Sequence, residues 1–143
     1  MITFFDTSVL VAACQKQNEF HTTSLASFAQ AHKDHSACGL HTLAEIYAAI
    51  TGMNGKSRVP PGLAPLFIEQ VRERCQIIAL TPEQYWETIQ TAAERHIAGG
   101  TIYDALLLAC ARKAKAGRIL TWNLRQFKMI APDLADRIMT PNG

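Results

Sequence analysis

The chain has 143 residues, of which 48% are hydrophobic and 18% charged, and its formal net charge is +2. This length fits one domain, residues 1–143, and the apolar fraction is high enough for a packed core, which excludes an intrinsically disordered chain. The apolar N-terminus has no basic start and is interrupted by Asp6, so we expect neither a signal peptide nor a membrane span.

Strand-like and helix-like segments alternate along the chain. The apolar, β-prone run Ile2–Phe5 predicts a buried strand, and Thr7 and Ser8 after it are typical helix-cap residues. Further strands are predicted at residues 36–38, 76–80, 118–121 and 137–140. Helices are predicted at residues 9–14, 22–32, 41–51, 63–74, 81–97 and 103–115. Gly117 is expected to end the last of these helices.

This alternation predicts an α/β fold in which helices cover both faces of a parallel sheet. In such sheets, functional sites gather at the carboxyl ends of the strands. Asp6 comes directly after the first predicted strand, and Asn123 lies just past the fourth. Both side chains are therefore candidates for a site at this end of the sheet.

Three of the twelve acidic residues stand in apolar surroundings, namely Asp6, Glu45 and Asp104. Structural explanations exist for each: Asp6 as a helix cap, Asp104 as a favourable charge at a helix N-terminus, and Glu45 as half of an ion pair. Together, however, they suggest converging carboxylates, which repel one another unless a cation lies between them. Oxygen-only ligands favour Mg²⁺ or Mn²⁺ over zinc.

The stretch between Asp104 and Asp133 contains no acid and six cations: Arg112, Lys113, Lys115, Arg118, Arg125 and Lys128. Without a neighbouring anion, these cations are expected to form a phosphate-binding face. The alternative is a solvated helix face followed by a basic loop.

Other motif-like features are weaker. The four cysteines form no C-x-x-C pair and are predicted to be small buried residues in a reducing, cytoplasmic compartment. His32, His35 and Cys38 lack a fourth zinc ligand at the usual spacing, and residues 52–57 lack the first glycine of a P-loop. His41 lies one turn before Glu45, so it either assists the site or lies on the surface, and the surface interpretation is preferred. Trp122 and Phe127 are interpreted as core residues rather than as stacking partners of a base.

Four segments carry a family likeness: Phe-Phe-Asp-Thr-Ser at 4–8, Thr-Leu-Ala-Glu-Ile-Tyr at 42–47, Ile-Tyr-Asp-Ala-Leu-Leu-Leu-Ala-Cys-Ala at 102–111, and Arg-Ile-Leu-Thr-Trp-Asn-Leu-Arg-Gln-Phe at 118–127. They resemble the motifs of PIN-domain nucleases. Their order and spacing across the whole chain are similar to those of VapC-type toxins, the ribonucleases of bacterial toxin–antitoxin pairs.

The resemblance implies a PIN-like three-layer α/β/α fold with a central parallel sheet of about five strands. It also implies a Mg²⁺-dependent endoribonuclease, an RNA substrate, a cognate antitoxin protein and a homodimer. By position, Asp6, Glu45 and Asp104 match the family's metal-binding acids, and Ser8 and Thr121 match hydroxyl positions beside them. The family's fourth site often carries an aspartate, whereas this chain has Asn123, which keeps an oxygen ligand but loses a charge.

Two other interpretations stay open. In the first, the chain is a catalytically weakened PIN-like module that binds RNA or protein, and Asn123 is the residue that favours it. In the second, it is a flavodoxin-like phosphoacceptor domain, which also places an aspartate after its first strand. The second is disfavoured because Thr7 and Ser8 follow the aspartate and no lysine directly follows Thr121.

Overall fold

The computed structural model describes residues 1–142. Its regular elements, in chain order, are β1 (Ile2–Phe5), α1 (Thr7–Cys14), α2 (His21–Ala29), β2 (Ser36–Gly39), α3 (Leu40–Thr51), α4 (Ala64–Arg74), β3 (Gln76–Ile78), α5 (Pro82–Glu94), α6 (Thr101–Lys113), β4 (Ala116–Leu120), α7 (Leu124–Ile130) and β5 (Ile138–Met139). Short 3₁₀ helices occupy Gly55–Ser57 and Pro132–Arg137. No helix within residues 1–142 is long and apolar enough to cross a membrane.

The five strands form one sheet in the order β3-β2-β1-β4-β5, and every neighbouring pair is parallel. The strand β1 lies at the centre, with Thr3 opposite Ser36 on one side and opposite Arg118 on the other. Because all strands point the same way, their carboxyl ends share one edge of the sheet. Asp6 follows the central strand, so it lies in the middle of that edge.

Successive side chains of β1 point to opposite faces of the sheet, and both faces carry apolar side chains that helices cover. Phe4 packs into a core that includes Leu107 of α6, and Phe5 into a second core with Leu10 of α1 and Ile46 of α3. Both phenylalanines are at most 2% exposed, and burying each stabilises the fold by about 1.5–3 kcal/mol. The predicted three-layer α/β/α architecture is confirmed.

A glycine brings two of the site-bearing helices together. Gly39 ends β2 and immediately precedes α3. A Cβ atom at this position would lie 2.7 Å from Leu107 Cδ2 and 3.6 Å from Cys110 Sγ, both on α6. The missing side chain therefore lets α6 approach the start of α3 closely. This approach positions the helix of Asp104 next to the helix of Glu45.

The interpretation of the cation-rich stretch after β4 as a loop is wrong, because this stretch contains α7. Phe127 is fully buried and Ile130 is 5% exposed, and Leu124 packs against the same core. This three-residue spacing gives α7 an apolar stripe, while its cations face outward.

The prediction that Gly117 ends α6 is also wrong. The helix ends at Lys113, and Lys115 takes a left-handed φ of 56° before β4 begins. Gly117 lies inside β4 instead, and the Met1 side chain fills the space where its Cβ would be. The glycine thus serves the packing of the first residue rather than the end of the helix.

Candidate active site

Asp6 is held rigidly at the carboxyl end of β1. Its backbone N–H donates to the Leu120 carbonyl at 2.9 Å, which ties the ends of β1 and β4 together. The side chain is 2% exposed, and its Oδ2 accepts hydrogen bonds from Ser8 Oγ at 2.7 Å and Thr121 Oγ1 at 2.8 Å. Burial raises the pKa of this carboxyl, and the two hydroxyl donors oppose the rise. These bonds fix the orientation of the carboxylate.

Thr7 and Ser8 do not cap α1 with their side chains, in contrast to the prediction. Asp6 takes the cap position, without a side-chain capping bond, and Thr7 is the first helical residue. The Ser8 hydroxyl, besides donating to Asp6, accepts the backbone N–H of Trp122 at 3.0 Å. Both hydroxyls therefore organise the acidic site rather than the helix end.

Glu45 lies in the second turn of α3, beside Asp6. Thr7 Oγ1 donates to its Oε1 at 3.0 Å and also lies 2.9 Å from Thr42 Oγ1. Burial raises the pKa of the Glu45 carboxyl, and so does the negative charge of Asp6, whereas the hydrogen bond from Thr7 and the positive charge of His41 lower it. Glu45 is thus within electrostatic reach of both Asp6 and His41.

Asp104 lies in the first turn of α6 and accepts a hydrogen bond at Oδ2 from the side-chain amide of Gln126 on α7. Burial, followed by the charges of Asp6 and Glu45, raises the pKa of the Asp104 carboxyl to about 6, against the effect of the Gln126 hydrogen bond. The Asp104 carboxyl is therefore affected by both other acids and the Glu45 carboxyl by Asp6, as expected for acids that lie near one another.

The three acids are neighbours, but they do not converge on one point. Within residues 1–142, no three acidic, histidine or cysteine side chains are arranged to hold a metal ion as they stand. In the described residues, side-chain donors bind one oxygen of each carboxylate, namely Asp6 Oδ2, Glu45 Oε1 and Asp104 Oδ2. The remaining oxygens form an oxygen-only donor set, which fits a hard divalent cation.

Thr121 and Asn123 complete this edge of the sheet. Thr121 is fully buried, and its Oγ1 donates to Asp6 and accepts the backbone N–H of Asn123 at 2.9 Å. Asn123 is exposed at the start of α7, and its side chain makes no capping bond. Together with Arg125 and Gln126, it lines a groove on the surface. The fourth candidate position is therefore open to solvent next to the acids.

The six cations do not form one face. The expectation that they lack a neighbouring anion is wrong for Arg112, which makes two hydrogen bonds to Asp133, at 2.6 and 2.9 Å. Lys113 Nζ donates to the Ala79 carbonyl at 2.7 Å and to Gln84 Oε1 at 3.0 Å.

The remaining cations divide between the two ends of the sheet. Arg118 donates to Thr3 Oγ1 within the sheet, and Lys115 directly precedes β4, at the end opposite to Asp6. Arg125 and Lys128 lie on α7, beside the acidic edge, and both are exposed. Of the six, only these two lie on the helix that also contains Gln126, the hydrogen-bond donor to Asp104.

Several residues around the acids lie within the four motif segments but were not predicted as site residues. Thr42 and Gln126 bind the acidic network directly or through Thr7, and Tyr103 stacks on His41 beside it. The available signal was helical spacing: His41 is four residues before Glu45, and such residues share a helix face.

The core assignment is confirmed for Phe127, whereas Trp122 is partly exposed and packs against the core. Phe127 is fully buried. The Trp122 indole stacks on Phe20 with centroids 3.9 Å apart, and its Nε1 donates to Ser24 Oγ at 2.8 Å.

Comparison with known families identifies the fold. A family model described as the PIN domain matches residues 3–131. The chain belongs to the PIN-domain family. Ribonuclease VapC27 of Mycobacterium tuberculosis is 30% identical to this PIN domain over 112 residues, which cover 78% of this chain and 77% of the relative. The match places this PIN domain with the VapC-type proteins.

Solved structures share the architecture at lower identity. VapC20 of Mycobacterium tuberculosis, a Sarcin-Ricin loop cleaving toxin, superposes with a TM-score of 0.68 and 16% identity, covering 85% of this chain and 89% of its own. VapBC-1 of nontypeable Haemophilus influenzae matches with a TM-score of 0.66 and 16% identity over 100% of both chains. These likenesses show that this PIN domain has the fold of those proteins.

Proposed function

We propose that this PIN domain is a metal-dependent endoribonuclease, the toxin of a toxin–antitoxin pair, and that it hydrolyses RNA phosphodiester bonds at the carboxyl end of its sheet. The observation that carries this proposal is the group of Asp6, Glu45 and Asp104, whose charges act on one another at that edge. The relationship to the ribonuclease VapC27 supports RNA as the substrate.

The oxygen donors of Asp6, Glu45 and Asp104 would hold the metal ion, and we propose Mg²⁺, with Mn²⁺ as the alternative, because both prefer carboxylate oxygens. A divalent ion bound there supplies a more acidic water and charge stabilisation for phosphate oxygens. This chain's own hydroxyls and amide position the acids before an ion binds. Thr121 and Ser8 orient Asp6, and Gln126 orients Asp104.

Asn123 occupies the position of the fourth acid and contributes an uncharged amide to the groove beside the acids. Its oxygen can accept a hydrogen bond from a water, and its N–H groups can donate to a phosphate oxygen. Three carboxylates rather than four also leave less negative charge to repel the RNA backbone. We therefore infer that Asn123 contacts the substrate rather than a second metal ion.

Arg125 and Lys128 are the cations that we propose to contact the RNA backbone. Both lie on α7, whose first turn contains Gln126, the hydrogen-bond donor to Asp104. Phosphate contacts of this kind supply affinity and register but not sequence choice. The other four cations, including Lys115 and Arg118, lie away from this edge or are held by other partners, and they are not part of the proposed RNA contact.

A protein partner follows from the relatives. Solved neighbours include the VapBC-1 complex of Haemophilus influenzae and VapBC2 of Rickettsia felis bound to a promoter DNA fragment. We infer that an antitoxin protein binds this chain and restrains its activity. The homodimer implied by the resemblance stays a prediction, which light scattering of the purified protein would test.

The first experiment is cleavage of total RNA by purified protein freed of any partner, in Mg²⁺, in Mn²⁺ and in EDTA. Asp104→Asn is run alongside, with Asp136→Asn as a matched control because Asp136 is an exposed carboxylate in a 3₁₀ helix outside the acidic group. We expect discrete fragments that require metal, disappear in Asp104→Asn and persist in Asp136→Asn.

The same experiment addresses the second candidate, a catalytically weakened PIN module that binds RNA or protein. The exposed Asn123 in place of a fourth acid favours this candidate. A folded wild-type protein that cleaves no RNA in either metal would contradict the ribonuclease proposal. Cleavage by an Asn123→Asp variant alone would then assign the lost activity to this position.

A further inference from the structure

Two aromatic rings stack on each other at the surface beside the acids. His41 of α3 and Tyr103 of α6 have ring centroids 5.3 Å apart and planes inclined by 11°. His41 is exposed, and Tyr103 is 46% exposed. Single exposed aromatic side chains are common on protein surfaces, and this pair is distinguished by its stacking and by its place next to the acids.

The position of the pair is set by the two helices that carry acids. His41 precedes Glu45 by four residues, so both side chains lie on one face of α3. A positive charge on His41 lowers the pKa of the Glu45 carboxyl, in agreement with side chains on one helix face. Tyr103 directly precedes Asp104 in the first turn of α6. The stack therefore lies between the starts of the helices that carry Glu45 and Asp104.

The second aromatic stack near the acids is of a different kind. Phe20 and Trp122 are both only partly exposed, with centroids 3.9 Å apart, and the Trp122 indole N–H is bound by Ser24 Oγ. The protein therefore binds both a ring face and the indole N–H of Trp122. The hydrogen bonds within residues 1–142 include none from a side-chain atom of His41 or Tyr103. The His41–Tyr103 pair thus keeps an open face toward solvent.

We propose that the His41–Tyr103 pair is a nucleobase platform, on which an unpaired RNA base next to the scissile phosphate stacks. This proposal deepens the proposed function and rests on it. Every nucleobase has a π-face, so an aromatic ring accepts any base that is not already stacked in a duplex. Arg125 and Lys128 offer charge for the backbone beside the acids, and the pair adds the surface that a single strand needs.

The platform has a consequence for the choice of substrate. A base in a regular helix is stacked and paired, and removing it from the helix costs free energy. Bases in loops, bulges and single-stranded ends are already available. The pair therefore directs cleavage to unpaired segments, with a preference that depends on the stacking strength of one base rather than on its hydrogen-bonding edge.

Kinetics on a short single-stranded RNA that contains one cleavage site of the wild-type protein test the platform. The variants are His41→Ala, Tyr103→Ala and Tyr103→Phe, and the matched control is Tyr85→Ala, because Tyr85 of α5 is also 46% exposed. Removing one base–aromatic stack weakens binding by roughly 5- to 150-fold. We expect KM to rise by that factor in both alanine variants with little change in kcat, and to stay near the wild-type value in Tyr103→Phe and Tyr85→Ala.

A fluorescence measurement provides a readout that a merely structural role would not change. The same RNA carries 2-aminopurine at the nucleotide next to the cleaved bond, and Asp104→Asn serves as the background that prevents cleavage. Stacking on the platform should quench this base, and Tyr103→Ala should abolish the quenching. Thermal melting followed by circular dichroism verifies that each variant is folded.

The outcomes separate the two levels of inference. If the wild-type protein cleaves the RNA but the alanine variants keep both KM and quenching, the platform is refuted and the ribonuclease proposal stands. If kcat falls while KM stays constant, the pair is a brace between α3 and α6, and the platform is again refuted. Absence of cleavage by the wild-type protein in any metal would refute the proposed function, and the platform with it.

Discussion

Burial of Asp104 and its closeness to two other carboxylates should make the metal-free protein less stable than it would be without this charge. We expect Asp104→Asn to raise the stability of this protein in EDTA at neutral pH. The asparagine oxygen can still accept the hydrogen bond from Gln126. The substitution removes only the negative charge, which burial and the charges of Asp6 and Glu45 disfavour. A substitution expected to abolish activity should therefore stabilise the fold.

The magnitude follows from the pKa of Asp104, which rises from 3.8 to about 6. One pKa unit corresponds to about 1.4 kcal/mol, so the full shift corresponds to about 3 kcal/mol at pH 7.5. Asp104 is only partly buried and its titration is coupled to the other two acids, so we discount this to about 1–2 kcal/mol. For a chain of this size, 1 kcal/mol shifts Tm by about 3 °C, which gives an increase of about 3–6 °C.

The stability difference between Asp104→Asn and the wild-type protein should depend on pH. A carboxyl whose pKa is raised on folding binds more protons in the native state than in the unfolded state, so the wild-type protein gains stability as pH falls. The gain begins near pH 6 and is complete below about pH 3.8. Asparagine mimics the protonated carboxyl at every pH. The advantage of the variant should therefore be full at pH 7.5, fall to about a third at pH 4.5, and vanish near pH 3.

Thermal melts in EDTA at pH 7.5 and pH 4.5 measure this effect, with Asp136→Asn as the control for the loss of an exposed carboxylate. The control should change Tm by less than about 1 °C. Two results would refute the reasoning: a Tm of Asp104→Asn equal to or below that of the wild-type protein at pH 7.5, or an increase of the same size at both pH values.

Three further predictions concern the surroundings of the site. Thr121→Val removes the buried hydroxyl that donates to the first carboxylate, so urea unfolding should show a loss of about 1–3 kcal/mol, which Thr121→Ser recovers. Asp133→Asn breaks the exposed pair with Arg112 and should cost about 0.5–1 kcal/mol at pH 7. Because the pKa of Asp133 is lowered to about 2, a double-mutant cycle should show that this coupling disappears as pH falls from about 4 to 2. Arg125→Gln should raise KM for RNA and reduce the slope of log binding constant against log salt concentration by about 0.7, the value for one phosphate contact to a single strand. Lys115→Gln, at the opposite end of β4, should change neither quantity.

The sequence predicted the parts of the fold that depend on local patterns. The apolar run before Asp6 predicts a buried strand, and the alternation of strands with helices leaves a parallel sheet as the simplest arrangement. Those two facts already place Asp6 at the carboxyl edge. The placement of Glu45 and Asp104 near it came from the unusual presence of charge in apolar segments, and their mutual effects on pKa agree with that inference.

Contacts between distant residues could not be predicted from the sequence alone. Thr7 donates to a carboxylate 38 residues away, and its hydroxyl was interpreted as a helix cap because that is the commoner local role. Arg112 meets Asp133 across 21 residues, so a stretch without acids in sequence is not a stretch without anions in space. The helix α7 was not predicted, because its segment is rich in cations and its apolar stripe consists of only three residues.

The three carboxylates are held to different degrees, and this difference determines how the group can bind a cation. Asp6 is fixed by burial and two hydroxyl donors, whereas Glu45 and Asp104 each accept one side-chain hydrogen bond and are partly exposed. Convergence on one ion therefore requires movement of the two helix-borne acids toward the strand-borne one. Each displaced hydrogen bond contributes only about 0.5–1.5 kcal/mol net.

A divalent cation between carboxylates offsets this cost, because it reverses the repulsion that, in addition to burial, raises the pKa of Asp104. The hydrogen bonds from Thr7 and Gln126 thus hold Glu45 and Asp104 apart when no ion is bound. The shorter side chain of Gln126→Asn should remove the hydrogen bond to Asp104 without adding charge. We expect this variant to keep metal-dependent cleavage but to reach half-maximal rate at a lower metal concentration, because Asp104 is no longer held away from the ion. An unchanged metal concentration for half-maximal rate would show that Gln126 does not restrain Asp104.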